Sequence, residues 1–229
     1  MRTRRISGRQ LKADILSLLQ QDDFNQALAT IEQLPARQAV NPLFSFFYHV
    51  DEKIRWRAIV AMGVVVAHLS ATDLESARVV MRRLMWNLND ESGGIGWGSP
   101  EAMGEILARS PILAEEFSHI LVSYLCEEMN FLEHEGLQRG LLWGLSRLAE
   151  KNPERVQSAG SSLVPFFMSP DPTLRGLAGK AATAIGGDSA KQARKSLSND
   201  QAIVRTFIHS RFLETTVAGL LSLPSDDFR

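Results

Sequence analysis

The chain has 229 residues, 45% of them hydrophobic and 22% charged, with a formal net charge of −1. That length suffices for one large packed domain or two small ones, and the near-neutral balance lacks the basic excess of a general nucleic-acid binder. The single cysteine, Cys126, excludes an internal disulfide and a multi-cysteine zinc site. No uninterrupted apolar run reaches the ~18–20 residues of a bilayer span. No apolar signal core follows Met1-Arg-Thr-Arg-Arg. A cytoplasmic chain in a reducing compartment, not associated with a membrane, is therefore expected.

Residues 1–8 read as a mobile basic tail and residues 223–229 as a frayed end, leaving 9–222 as one helical domain. The spacing of Leu11, Ile15, Leu18 and Leu19 predicts a first helix. Asp22 or Asp23 caps a second, which carries Phe24, Ala27, Leu28 and Ile31 and stops at Pro35. A third runs from Ala36 to about His49, with Pro42 inside it. Asp51 opens a long helix through Ala58, Ala61 and Gly63, and Asp73 caps the next. Helices restart at Ser99-Pro100-Glu101, at Pro111 and near Glu133. Another runs from Asn152-Pro153 to about Met168, then one from Asp171-Pro172 and a short one over Ser189–Leu197. Asn199-Asp200 predicts a last helix with Val204, Phe207, Ile208, Phe212 and Leu213. No segment alternates with period two for long enough to predict a strand.

One stretch departs from this pattern. Asn87–Glu105 holds four glycines, at 93, 94, 96 and 98, around Trp97, bracketed by Asp90, Glu91, Glu101 and Glu105. A phosphate-cradling loop needs a strand before it, and a helix precedes this one. Glu101 and Glu105 are spaced i,i+4 on one helix, and with Asp90 and Glu91 they make a possible all-oxygen cation set. Capping explains the same residues more simply, with Ser99 as N-cap, Pro100 at N1 and Glu101 complementing the helix dipole. Trp97, freed by Gly96 and Gly98, is expected to fold the loop against the helices, and Asn87 and Asn89 to satisfy its backbone. Glu91 and Glu105 have no packing role in this reading, and are expected to be the polar groups of any site.

A second signal is a repeat. Asp51…Arg55…Ala58, Glu135…Arg139…Leu142 and Asp171…Arg175…Ala178 share a four-residue acid-to-arginine step, and Asp200…Arg205 is a looser copy. The arginine is expected to bind a neighbouring repeat's turn. Gly140 with Gly144, and Gly176 with Gly179, mark faces where helices cross closely. The line Ile54-Arg55-Trp56-Arg57-Ala58-Ile59-Val60-Ala61-Met62-Gly63 resembles the HEAT repeat, in its short bacterial form, and Leu174–Ala182 repeats it less fully. The block Glu91-Ser92-Gly93-Gly94-x-Gly96-Trp97-Gly98-x-Pro100-Glu101-Ala102-x-Gly104-Glu105 also looks like one recurring in uncharacterised bacterial HEAT-repeat proteins. The resemblance implies an all-α, HEAT-like α-solenoid, a right-handed superhelix of about five or six antiparallel helix pairs.

Fold alone does not select a function. The expected function is a non-catalytic scaffold that binds another protein through its concave surface and the 87–105 loop. Asn87, Asn89, Glu91, Ser92, Trp97, Glu101 and Glu105 are its candidate site, with no catalytic residue, cofactor or metal assigned. One alternative is a ligand- or cation-binding protein or enzyme with its site at that block. A second is DNA-lesion recognition or glycosylase activity, with Trp86, Trp97 and Trp143 beside Asp90 or Glu91 and with Arg78, Arg82 and Arg83 for phosphates. His49, His68, His119, His134 and His209 show no ligand spacing, and Glu133-His134-Glu135 reads as a solvated first turn.

Overall fold

The computed structural model of the protein describes residues 7–89 and 96–224. The expectations for Asp90, Glu91 and Ser92, for most of the basic tail and for the end from Ser225 on lie outside the described residues. The chain is an α-solenoid. Helices α1 (Gly8–Gln20), α2 (Phe24–Glu32), α3 (Ala36–Phe46), α4 (Glu52–Thr72), α5 (Leu74–Asn89), α6 (Ser99–Arg109), α7 (Pro111–Ser123) and α8 (Glu135–Lys151) follow one another. The expected helix from Pro153 to Met168 is instead two 3-10 segments around a single α-turn, α9 (Gly160–Leu163). Then come α10 (Pro172–Ile185), α11 (Gly187–Leu197), strands β1 (Ile203–Ile208) and β2 (Arg211–Thr216), and α12 (Val217–Leu221).

Helices α4, α6, α8 and α10 pack consecutively into one layer, and α3, α5, α7 and the 153–168 segment pack against it as a second. Amphipathic spacing seats the first helices: α1 buries Leu11, Ile15 and Leu19, and α2 buries Phe24, Ala27 and Ile31. Helix α4 is covered by α3, α5 and α6 and is apolar all round, with buried residues from Ile54 to Ser70. Its length and a mean hydropathy of 1.4 would suffice to cross a bilayer, but 67% of that stretch is buried inside the protein. One hydrophobic cluster runs from Leu11 to Leu220.

The repeat is visible as a shared turn. Asp51 and Asp171 are N-caps, each accepting from the backbone N–H two residues on at 2.8 Å. Four residues after the cap, Arg55 Nη1 donates to the His49 carbonyl at 2.9 Å and Arg175 Nη1 to the Ser169 carbonyl at 2.8 Å. Helix α8 keeps this geometry one residue out of the expected register. Its cap is His134, and Gln138 Nε2 reaches back to the Leu132 carbonyl at 2.8 Å. Arg139 and Arg175 reach forward as expected, to the turn of the following repeat: Arg139 Nε to Asp171 at 2.6 Å and Arg175 Nε to Asp200 at 2.7 Å.

The predicted last helix is a β-hairpin. Asp200 still takes Arg175 and caps the Ala202 N–H, but β-branched and aromatic residues follow, with Val204 buried between exposed Ile203 and Arg205. His209 and Ser210, at φ 52° and 60°, make the tight reversal that pairs Phe207 with Phe212. The pair is not one of the Asn-Gly or Asp-Gly steps that mark a two-residue hairpin, so the sequence carries no strong turn signal there. The hairpin lies across the N-terminal ends of the first layer. Trp143 Nε1 donates to the Phe207 carbonyl at 2.7 Å, Phe207 stacks on Trp56 at 5.5 Å, and Arg205 pairs with Glu52 at 2.8 Å. Residues near the end of the chain thereby bind the start of α4.

Candidate functional site

The block around Trp97 is built on glycines of the neighbouring helices. Gly98, at φ 77°, is the N-cap of α6 in a left-handed conformation that favours glycine, and a Cβ there would lie 2.9 Å from the Phe47 ring. The expected N-cap, Ser99, is thus one residue inside the helix; its hydroxyl is buried and makes no hydrogen bond among the described residues. Gly136, Gly140 and Gly144 form one face of α8, each four residues from the next. A Cβ on Gly136 would lie 2.7 Å from the Trp97 ring, and one on Gly140 would fall on the Glu101 carboxyl. A Cβ on Gly104 would collide with the Gly144 backbone, and one on Gly144 would lie 2.6 Å from the Pro100 carbonyl. Helices α6 and α8 therefore cross backbone to backbone, as the glycine pair Gly140/Gly144 predicts. Each shelf on α8 seats part of the block: Gly136 takes Trp97, Gly140 takes Glu101, and Gly144 takes the backbone of Pro100, Glu101 and Gly104.

Glu101 and Glu105, one turn apart, have opposite surroundings. Glu105 is fully buried, its side chain against Gly63 of α4. It pairs with Arg147 at 2.8 Å and Arg109 at 2.8 Å. Arg147 continues to Glu150 at 3.3 Å, and Glu150 to Lys180 at 2.7 Å, so a buried ionic ladder ties α6, α8 and α10 together. Burial raises the Glu105 pKa, but Arg147 and then Arg109 outweigh it and hold the carboxyl below its ordinary 4.5. The expectation that Glu105 lacks a packing role is thereby corrected: it is a structural ion. Glu101 has no such partner among the described residues. Its Oε2 is sealed from solvent and accepts no hydrogen bond from them, while the residue keeps some surface towards a cavity. Desolvation pushes its pKa up to about 7, opposed only by its own backbone N–H.

That cavity, of 740 Å³, lies at the N-terminal ends of α4, α6, α8 and α10, beneath the hairpin. Trp56, Trp97, Tyr48 and Phe212 supply rings, and Glu52, Arg55, Glu101, His134, Glu135, Arg139 and Arg205 the ionisable groups. Trp97 is 37% exposed and meets the His134 ring edge-on at 5.0 Å. His134 is no solvated first turn. Its Nδ1 accepts the Gly136 N–H at 3.0 Å, which leaves Nε2 to carry the proton in the neutral ring.

Of the predicted site residues that the structure describes, Trp97 and Glu101 line the cavity and Asn87, Asn89 and Glu105 do not. Asn87 meets the block through its backbone, whose carbonyl lies 2.6 Å from a Cβ placed on Gly96, and Asn89 is exposed. The tryptophans of the lesion-recognition alternative do not converge. Trp143 is buried, Trp86 is 73% exposed on α5 and does not line the cavity, and Arg78 and Arg82 pair with Glu116 and Glu75. Trp56, His134 and Tyr48 were missed by the sequence reading. For two of them a signal existed, because Tyr48 and Trp56 flank the acidic turn of the strongest repeat. Among the described residues, no group of three or more His, Cys, Asp or Glu side chains is placed to hold a metal ion.

No protein-family profile matches the chain. An uncharacterised protein of Archaeoglobus fulgidus is 33% identical over 108 residues, which are 47% of this chain and 52% of the relative. The chain thus spans about half the length of the curated relative it matches. Among solved structures, an engineered protein is 16% identical with a TM-score of 0.46, covering 81% of this chain and 84% of that one. A designed armadillo repeat protein is 17% identical with a TM-score of 0.44, covering 79% of this chain and 87% of that one. Another, in complex with the peptide (KR)4, is 17% identical with a TM-score of 0.46, covering 81% and 87%.

Proposed function

We propose that the chain is a HEAT-like binding module that docks a partner protein at the cavity between α4, α6, α8, α10 and the hairpin. The observation that carries this reading is Glu101, a desolvated carboxylate without a cationic partner among the described residues, in a ring-lined cavity. An unpaired buried carboxylate is costly. Here α6 and the glycine shelf of α8 hold it in place, and a shape that exists only at that cost points to a ligand. Rings beside a small number of placed polar groups are also the usual make-up of a recognition site. Selection of a displayed random-peptide library on the wild type, Glu101→Gln and Trp97→Ala tests the reading. The wild type should enrich a common motif that both variants lose. No enrichment on the wild type, or the same motif on all three, would refute it.

A second reading has one observation in its favour. A carboxyl with a pKa of about 7 is poised for general acid–base work at neutral pH. Turnover of a small-molecule library that Glu101→Gln abolishes would favour this reading over docking.

A further inference from the structure

We infer that the cavity receives a cationic side chain, Lys or Arg, of a partner polypeptide, with Glu101 as its counter-ion and Trp97, Tyr48 and Trp56 as its walls. This rests on the reading of the cavity as a partner-binding site, and adds the chemistry of what enters it. Three carboxylates and three guanidiniums face the cavity, and the way they pair decides which charge is left open. Arg205 is held by Glu52 at 2.8 Å and lies 3.8 Å from the Phe212 ring. Arg139 is held by Asp171 at 2.6 Å, with Glu135 at 4.0 Å. Arg55 is engaged by the carbonyls of His49 and Val50 at 2.9 and 3.5 Å. His134 is committed through Nδ1 to the Gly136 N–H. Each guanidinium thus already has an acceptor, Arg55 through carbonyls alone, and among the described residues Glu101 is the lining carboxylate without a cationic partner.

An anion would meet that carboxylate with no free guanidinium to offset it. A cation would meet a carboxylate and aromatic faces together, an environment that attracts ammonium and guanidinium groups. The walls are available: Trp97 is 37% exposed and Tyr48 54% exposed, while Trp56 is backed by Phe207 and Trp143 and cannot turn away. A cavity of 740 Å³ is larger than one side chain, so it also takes in chain flanking the inserted residue. A peptide fits that space better than a free ion.

The test uses the full chain at pH 8, where Glu101 is ionised, and follows the indole N–H resonances of Trp97 and Trp56 by NMR. The probes are Ac-Gly-Arg-Gly-NH2 and Ac-Gly-Lys-Gly-NH2, with citrulline and norleucine in place of the cation as neutral controls. The cationic peptides should shift both resonances and bind at least tenfold more tightly than the controls. Glu101→Gln, whose fold is checked by its melting curve, should remove that tenfold preference, and Trp97→Leu should weaken binding of the cationic peptides severalfold. Equal affinity for arginine and citrulline, or an unchanged preference in the Gln variant, would overturn the proposal. If the library selection instead yields a motif without Lys or Arg that still shifts Trp97, the docking site stands and the cation assignment falls. If the selection yields nothing while the cationic peptides bind, the docking reading falls.

Discussion

Replacing Glu105 with Gln should be strongly destabilising, because the substitution removes one charge from the middle of a buried ladder. Glu105 is 0% exposed, and its two guanidinium partners each lie at 2.8 Å. Removing one partner of a buried ion pair costs about 3–5 kcal/mol, most of it for the charge left behind. Two features place the loss at the lower end, at about 3 kcal/mol. Arg147 retains Glu150 at 3.3 Å, and the Arg109 side chain, 18% exposed, can turn to water. Urea denaturation is the assay, read as a fall in the midpoint with an unchanged slope. Combining Glu105→Gln with Arg147→Met should cost less than the sum of the single losses, because the two residues are in direct contact. The pH dependence has a definite sign. The folded pKa of Glu105 is lowered, so its contribution is complete above the ordinary value of 4.5 and is lost as pH falls through the folded one. A loss below about 1 kcal/mol for the single variant would refute the ladder as a stabilising element.

Other consequences follow from the same contacts. Gly104→Ala and Gly144→Leu should each cost ~1–3 kcal/mol in thermal or chemical melts through overpacking at the α6–α8 crossing, whereas Gly8→Ala, with nothing near its Cβ, should be neutral or slightly stabilising. Trp97→Ala should cost ~2 kcal/mol, the value of a partly buried ring, and lower the melting temperature. Glu101 has the opposite pH sign to Glu105: its folded pKa is raised, so stability falls as pH rises from 4.5 to about 7, and Glu101→Gln should stabilise the protein at pH 8 and leave it nearly unchanged at pH 4.5. Duplex and single-stranded DNA should not bind more tightly than the ~10⁻⁶ M non-specific range at physiological salt, as measured by fluorescence anisotropy.

Helical periodicity, proline restarts and aspartate caps made most of the fold legible, because each is a local rule. Asp73 caps the helix it was expected to cap, and Asp51 and Asp171 cap the helices they were expected to open. The close crossing at Gly144 was legible for a related reason, since glycines four apart on a helix have few other uses. The hairpin was not, because Val204, Phe207 and Ile208 suit either period. What selects the strand is tertiary, the seat of Phe207 between Trp56 and Phe212. The block at 87–105 was recognised as special, but the role of Glu105 was read incorrectly. Glu105 looked unused because its partner Arg147 lies 42 residues on, beyond the reach of any local rule. Glu101 looked like a dipole-complementing first-turn residue. Only the shelf at Gly140, in another helix, removes it from water.

The central claim is that Glu101 is a desolvated, unpaired carboxyl facing the cavity, and a titration of its side chain tests that directly. Side-chain carboxyl carbon shifts of the wild type, followed by NMR from pH 3 to 9 and assigned by comparison with Glu101→Gln, should give Glu101 a midpoint at about 7. Glu105 should titrate below 4.5 in the same spectra. A Glu101 midpoint near 4.5 would mean that the carboxyl is solvated or paired, which would contradict the account.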